Sequence, residues 1–277
     1  MTTDDTWAAH FTGPAHASRR RSLVLGLLAT LAGRALAQSP QQPAAALSVP
    51  VLVYHRFAAT AVDSMTVRLA TFQAHLDTIE RLGGTVLPLD ALVDRLLGRR
   101  ASLPPRAVVL TADDGHRSQF EAMAPLLRHR RWPATLFVYP SAISNASYAM
   151  QWDQLRELVA EGFFTVQSHT FWHPNLVRDR QHMAPAAFEA MASDQLSRSK
   201  SRLERELGRP VSQLAWPFGL TDAGLMALAG RLGYEAAFVL GNRAVTAGDP
   251  VLALPRLLVT DALSAPALSR WLGAVWR

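Results

Sequence analysis

The 277-residue sequence predicts an α/β fold: a distorted (β/α)7-type barrel in a single domain, with its chemistry at the C-terminal strand ends. Three observations predict it. Short apolar runs alternate with amphipathic stretches, giving roughly seven units in about 230 residues, which suits a closed barrel better than an open sheet. Residues suited to acid–base or metal chemistry directly follow those apolar runs. The apolar fraction, 49%, is ample for a sizeable core.

The elements follow in order. The run 49–53 is a buried strand ending at Tyr54-His55. Residues 70–82 carry Phe72, Leu76 and Ile79 at helical spacing and stop at Gly83-Gly84. A short strand at 85–87 precedes a helix at 89–97 stopped by Gly98. The run 107–111 is a buried strand, with a helix near 119–129 after it. Strands at 135–139, 163–167, 211–216 and 236–240 alternate with helices at 152–160, 186–207 and 222–232. A last strand, 254–259, is followed by a closing helix at 265–275.

The first 37 residues read as a secretory signal. Arg19-Arg20-Arg21, an apolar run at 23–31 and Ala35-Leu36-Ala37 supply the charged, apolar and small-residue regions, with cleavage before Gln38. The run is too short to span a bilayer, and no other span is expected. Export to the periplasm or the exterior, by a general secretory or twin-arginine route, is the expectation. Residues 38–48 read as a Pro/Gln/Ala-rich linker, and 49–277 as the folded domain.

Removing the signal takes away four Arg, Asp4 and Asp5, which lowers the net charge from +6 to about +4. That mild excess is spread along the chain and does not imply nucleic acid. The sequence contains no cysteine, so disulfides, thiolate metal sites and cysteine nucleophiles are excluded.

Two segments carry chemistry. Thr111-Ala112-Asp113-Asp114-Gly115 ends a buried strand, and Ser168-His169-Thr170-Phe171-Trp172-His173-Pro174 ends another. Asp-Asp-Gly alone is also an ordinary turn. Together with a His-x3-His pair it offers two imidazoles and a carboxylate for a divalent ion, leaving the other carboxylate as a base for water. The spacing does not say which aspartate does which job. Two nitrogens and one oxygen suit Zn best, with Co or Ni also compatible.

Thr111–Gly115 resembles the first motif of the NodB-type polysaccharide deacetylases, the fourth carbohydrate esterase family. Ser168–His173 resembles their second motif. Ala215-Trp216-Pro217-Phe218-Gly219 resembles the third, without the Arg that usually precedes it. The resemblance spans roughly residues 49–260. It implies Asp113 as general base and Asp114, His169 and His173 as metal ligands. It also implies a proton donor for the departing amine, a histidine near the C-terminus in most of the family. No histidine follows His182 here. His55 follows the first buried strand and is assigned the acid, with His116 or a structural histidine as the alternative. Residues 51–57 resemble the opening of poly-β-1,6-N-acetylglucosamine deacetylases, whose catalytic elements are circularly permuted.

Arg256 is the best replacement for the missing orienting cation, and Asp261 a candidate to tune His55. Trp172, Trp216, Pro217, Phe218 and Tyr139 are candidates for sugar contact, since sugar rings present apolar faces to aromatic ones. The expected partner is an N-acetylated polysaccharide, poly-β-1,6-N-acetylglucosamine ahead of chitin oligomers or peptidoglycan. The rival readings are a related barrel hydrolase of a small or cyclic amide, and a non-catalytic secreted carbohydrate-binding protein.

Overall fold

Seven apolar segments become parallel strands because both of their faces must be covered. The computed structural model describes residues 47–277. Its barrel strands are β1 (Val51–Tyr54), β2 (Ala107–Asp113), β3 (Ala134–Val138), β4 (Phe164–Ser168), β5 (Gln213–Ala215), β6 (Ala236–Leu240) and β7 (Leu254–Leu258). Each pairs in parallel with its sequence neighbours, and β7 returns to β1 through Leu257↔Leu52 and Leu258↔Val53. The result is the closed (β/α)7-type barrel expected from the sequence. Its distortion concentrates between β4 and β5, which share the single register pair Ser168↔Leu214. There Gln167 Oε1 accepts hydrogen bonds from Ser212 N (3.1 Å) and Gln213 N (2.9 Å), standing in for missing ladder bonds.

The outer layer consists of α1 (Leu69–Arg81), α2 (Leu89–Leu96), α3 (Ala124–Arg130), α4 (Trp152–Ala160), α5 (Leu176–Arg180), α6 (Pro185–Leu207), α7 (Ala223–Arg231) and α8 (Ala265–Val275). Strand alternation divides the core. Leu52, Leu110, Leu136 and Val138 face outward to helix residues such as Phe72, Leu76 and Leu196. Val51, Val109, Phe137, Phe238 and Leu254 face inward, where Leu89, Leu92 and Val93 of α2 join them. The barrel is thus filled with side chains, leaving function to the opposite rim.

Four features were not expected. Thr85–Leu87 pairs beside the N-terminal half of β2, outside the seven-strand ring. Beyond β1, Arg56–Ala58 pairs in parallel with Thr66–Arg68. The helix after β2 opens as a π-helical turn, Gln119–Met123. Ser48–Val49 pairs with Val245–Thr246, so the folded unit begins one residue inside the segment read as linker. These pairings depend on main-chain bonds between short segments, which leave little hydrophobic period to read. The signal 1–37 and most of the linker lie outside the described residues. Among the described residues, no helix is long and apolar enough to cross a membrane.

Candidate active site

Strand parity aims the central pair. In β2, Asp113 shares the inward face with Val109, and in β7 Arg256 shares it with Leu254. Both are buried, and they meet in a two-pronged ion pair: Arg256 Nη1 to Asp113 Oδ1 and Arg256 Nη2 to Asp113 Oδ2, each 2.7 Å. The guanidinium also lies over the Phe137 ring, 5.2 Å from its centroid. Burial alone would push the Asp113 carboxyl up. The charge of Arg256 and its hydrogen bonds outweigh it and hold the group down at about 2.

The next residues turn sharply. Asp114 and Gly115 both have positive φ (75° and 68°), which swings the Asp114 carboxylate away from the β2 axis. After β4, Thr170 (φ 63°) and His173 (φ 65°) fold the His-x3-His segment back on itself. Thr170 Oγ1 accepts from His173 N at 3.2 Å, and Gln195 Oε1 of α6 accepts from Trp172 N at 3.0 Å. His169 Nδ1–H donates to Ala215 O at 2.7 Å, so its Nε2 lone pair faces the site. That Nε2 lies 3.7 Å from Asp114 Oδ1, and His173 Nε2 lies 3.8 Å from the same oxygen. One donor atom from each of the three residues falls within 4.8 Å of the others. These gaps exceed hydrogen bonds and leave room for an ion between the donor atoms. Burial, reinforced by His169, lowers His173 to about 4, so it is neutral, as a ligand must be. The donor set therefore fits a divalent ion.

His55 lines the same cavity as Asp113, Asp114, His169 and His173. Its Nδ1 is buried and has no hydrogen-bond partner. Burial lowers its pKa, against the opposing pull of Asp113 and Asp114. The alternatives are placed differently. His116 Nδ1 pairs with Ser118 Oγ at 2.8 Å, and its ring stacks on Tyr148 rather than lining the cavity. His182 is exposed beyond α5. Asp261 is a correction: it receives Arg68 N (3.0 Å) and Arg68 Nε (2.8 Å), and is spent there rather than on His55.

The cavity measures about 350 Å³ and opens between rings. Phe218, 53% exposed, stands 4.8 Å from the His173 ring. The Tyr139 ring lies 5.4 Å from that of His173, and its hydroxyl bonds that of Tyr148 at 2.7 Å. Trp172 is also exposed, outside the cavity lining. Pro217 is a second correction. The positive φ of Phe218 (59°) turns that ring outward and leaves Pro217 buried, outside the cavity lining. Trp216 is wholly buried, its Nε1–H donating to Leu252 O, and serves as cavity floor. The sequence reading missed Arg56 and Met65 of the lining and Tyr148 on the rim. Tyr148 lies mid-loop with no periodic or motif signal to mark it.

A family model described as "Polysaccharide deacetylase" matches residues 100–237, which include Asp113, Asp114, His169 and His173 but neither His55 nor Arg256. A curated relative, the poly-beta-1,6-N-acetyl-D-glucosamine N-deacetylase of Staphylococcus aureus, is 24% identical over 179 residues. The match covers 63% of this chain and 62% of the relative. Among solved structures, IcaB from Ammonifex degensii is 25% identical with a TM-score of 0.70, covering 81% of this chain and 97% of that one. Streptococcus pyogenes deacetylase PplD in complex with acetate superposes with a TM-score of 0.73 at 20% identity, covering 82% and 99%, a likeness of fold. The Asp-Asp and His-x3-His segments of the matched span converge on one cavity at the barrel rim, and the chain belongs to the polysaccharide deacetylase family.

Proposed function

We propose that the protein is an exported, metal-dependent hydrolase that removes N-acetyl groups from an N-acetylglucosamine polysaccharide, with poly-β-1,6-N-acetylglucosamine as the favoured substrate. The observation that carries the reading is the cluster of Asp114, His169 and His173 beside an Asp113 clamped by Arg256. A divalent ion held by Asp114, His169 and His173, Zn before Co or Ni, would supply Lewis acidity to the acetyl carbonyl and the attacking water. Asp113, kept ionised by Arg256, accepts the proton that water loses. His55 protonates the amine nitrogen as its bond to the acetyl carbon breaks, so one water and one amide become acetate and a free amine. Arg256 fixes the plane of the Asp113 carboxylate. Phe218, Tyr139, Tyr148 and Trp172 supply ring faces for sugars along an open rim, which favours a polymer over a small cyclic amide.

The polymer preference rests on the relative named as a poly-beta-1,6-N-acetyl-D-glucosamine N-deacetylase and on that open rim. Acetate release tests the whole reading. Metal-loaded protein should release acetate from poly-β-1,6-N-acetylglucosamine faster than from chitin oligomers or peptidoglycan, and chelation should abolish the release. No acetate from any of the three with metal bound would leave a non-catalytic carbohydrate-binding role. Export is tested by N-terminal sequencing of the protein recovered outside the cytoplasm, which should begin near Gln38.

A further inference from the structure

We infer that Gln119 is a positioning residue that fastens the strand of the acid to the strand of the base. The inference rests on the acid–base reading above. The β1–β2 ladder runs Val51↔Val109, Leu52↔Leu110, Val53↔Thr111 and Tyr54↔Ala112, and stops there. The next opposed residues are His55 and Asp113, the proposed acid and base. At that point the side-chain amide of Gln119 takes over. Its Nε2 donates to His55 O at 2.9 Å and to Asp113 O at 2.5 Å. The amide is a side-chain rung set where the main-chain rungs end.

Three further observations separate this from ordinary packing. Gln119 is fully buried, yet its Oε1 has no partner. A leucine of similar size would avoid that orphan acceptor, so the residue is suited to its two donor bonds rather than to filling space. Gln119 opens the π-helical turn Gln119–Met123, a wide turn often found at functional sites. The preceding residue makes a matching tie: Ser118 Oγ accepts from Phe57 N at 2.9 Å. The turn after β2 therefore grips the chain at the His55 carbonyl and again two residues on, at the Phe57 amide. Gln119 touches no reacting atom. It fixes the backbone from which His55 and Asp113 project, and hence the separation of proton donor and proton acceptor.

The test is steady-state acetate release by the metal-loaded, full-length Gln119→Leu variant. We expect kcat to fall about tenfold to a hundredfold, the scale of an ångström-sized misplacement. KM should stay within about twofold and bound metal should be unchanged, since neither the rim nor the ligand set is touched. Combined with His55→Ala, the substitution should cost little additional turnover, because its effect passes through the group already removed. If Gln119→Leu does not fold, Gln119→Asn keeps the buried amide one methylene short, and the same kcat loss is expected. A folded variant with kcat within about twofold of wild type overturns the inference. So does a loss that is equally large in the His55→Ala background, which would mark a general structural role. Asp113→Asn and His55→Ala serve as controls. If they lose turnover and Gln119→Leu does not, the inference alone fails; if they keep wild-type turnover, the acid–base reading fails with it.

Discussion

Replacing Arg256 with Met isolates the ion pair at the centre of the site. Arg256 and Asp113 are both buried and share two 2.7 Å charge-assisted bonds. Methionine fills much of the volume and leaves the carboxylate without its counter-charge. Removing one partner of such a pair costs about 3–5 kcal/mol. At about 2–4 °C per kcal/mol for a domain of this size, the midpoint should fall by roughly 6–20 °C. The pH dependence should change as well. In the wild type the Asp113 carboxyl is depressed, so the stability it contributes is present above its ordinary value of 3.8 and is lost as pH falls toward about 2. Without Arg256 the largest remaining influence is burial, which raises it. The variant should then lose activity on the acid side at a higher pH than wild type does. Combining Arg256→Met with Asp113→Leu should recover most of the lost stability while activity stays absent, because no lone charge remains buried. Thermal unfolding and acetate release across pH provide both readouts. A single variant within about 1 kcal/mol of wild type, with its acid limb unmoved, would refute the argument that this pair is a mutually dependent buried unit.

The other predictions concern individual groups. His173→Ala should reduce bound metal, measured by elemental analysis, with the far-UV circular dichroism spectrum unchanged; full stoichiometry and affinity would remove His173 from the ligand set. His55→Ala should lower turnover by roughly a hundredfold or more with little change in metal affinity, and should erase the basic limb of the pH–rate profile. Retention of that limb in His55→Ala, with its loss in His116→Ala, would move the acid to His116. Gly219→Ala should destabilise by about 1–3 kcal/mol in chemical denaturation, because φ is 69° there and a Cβ would come within 2.6 Å of Leu240 N; a neutral effect would mean that the turn presenting Phe218 is plastic.

The sequence was most informative where physical constraint is local. A strand buried on both faces must be almost wholly apolar, so the segments that became β1, β2, β3 and β6 were readable. The placement of Asp113, His169 and His55 at strand ends followed, since parallel strands present their C-terminal ends on one face. Direction within the third motif was harder to read. Pro217 and Phe218 are neighbours, and only the left-handed backbone at Phe218 decides which one lines the cavity. Asp261 was misjudged because its proximity in sequence to β7 says nothing of Arg68, 193 residues away, which claims it. Gln119 and Tyr148 gave no warning because their roles depend on side chains meeting across turns that carry no period.

Barrel closure also accounts for where the unusual residues lie. The matched span, residues 100–237, holds the metal donors and Asp113. The cation that orients Asp113 comes from β7, and the proposed acid follows β1. These strands are far apart in sequence and paired in space, Leu257 against Leu52 and Leu258 against Val53. β1 in turn pairs with β2 up to Tyr54↔Ala112, one residue short of Asp113. On the proposed acid–base reading, both functions come from the seam where the first and last strands meet. The site then depends on that seam staying closed, because opening it would withdraw Arg256 and His55 from Asp113 together.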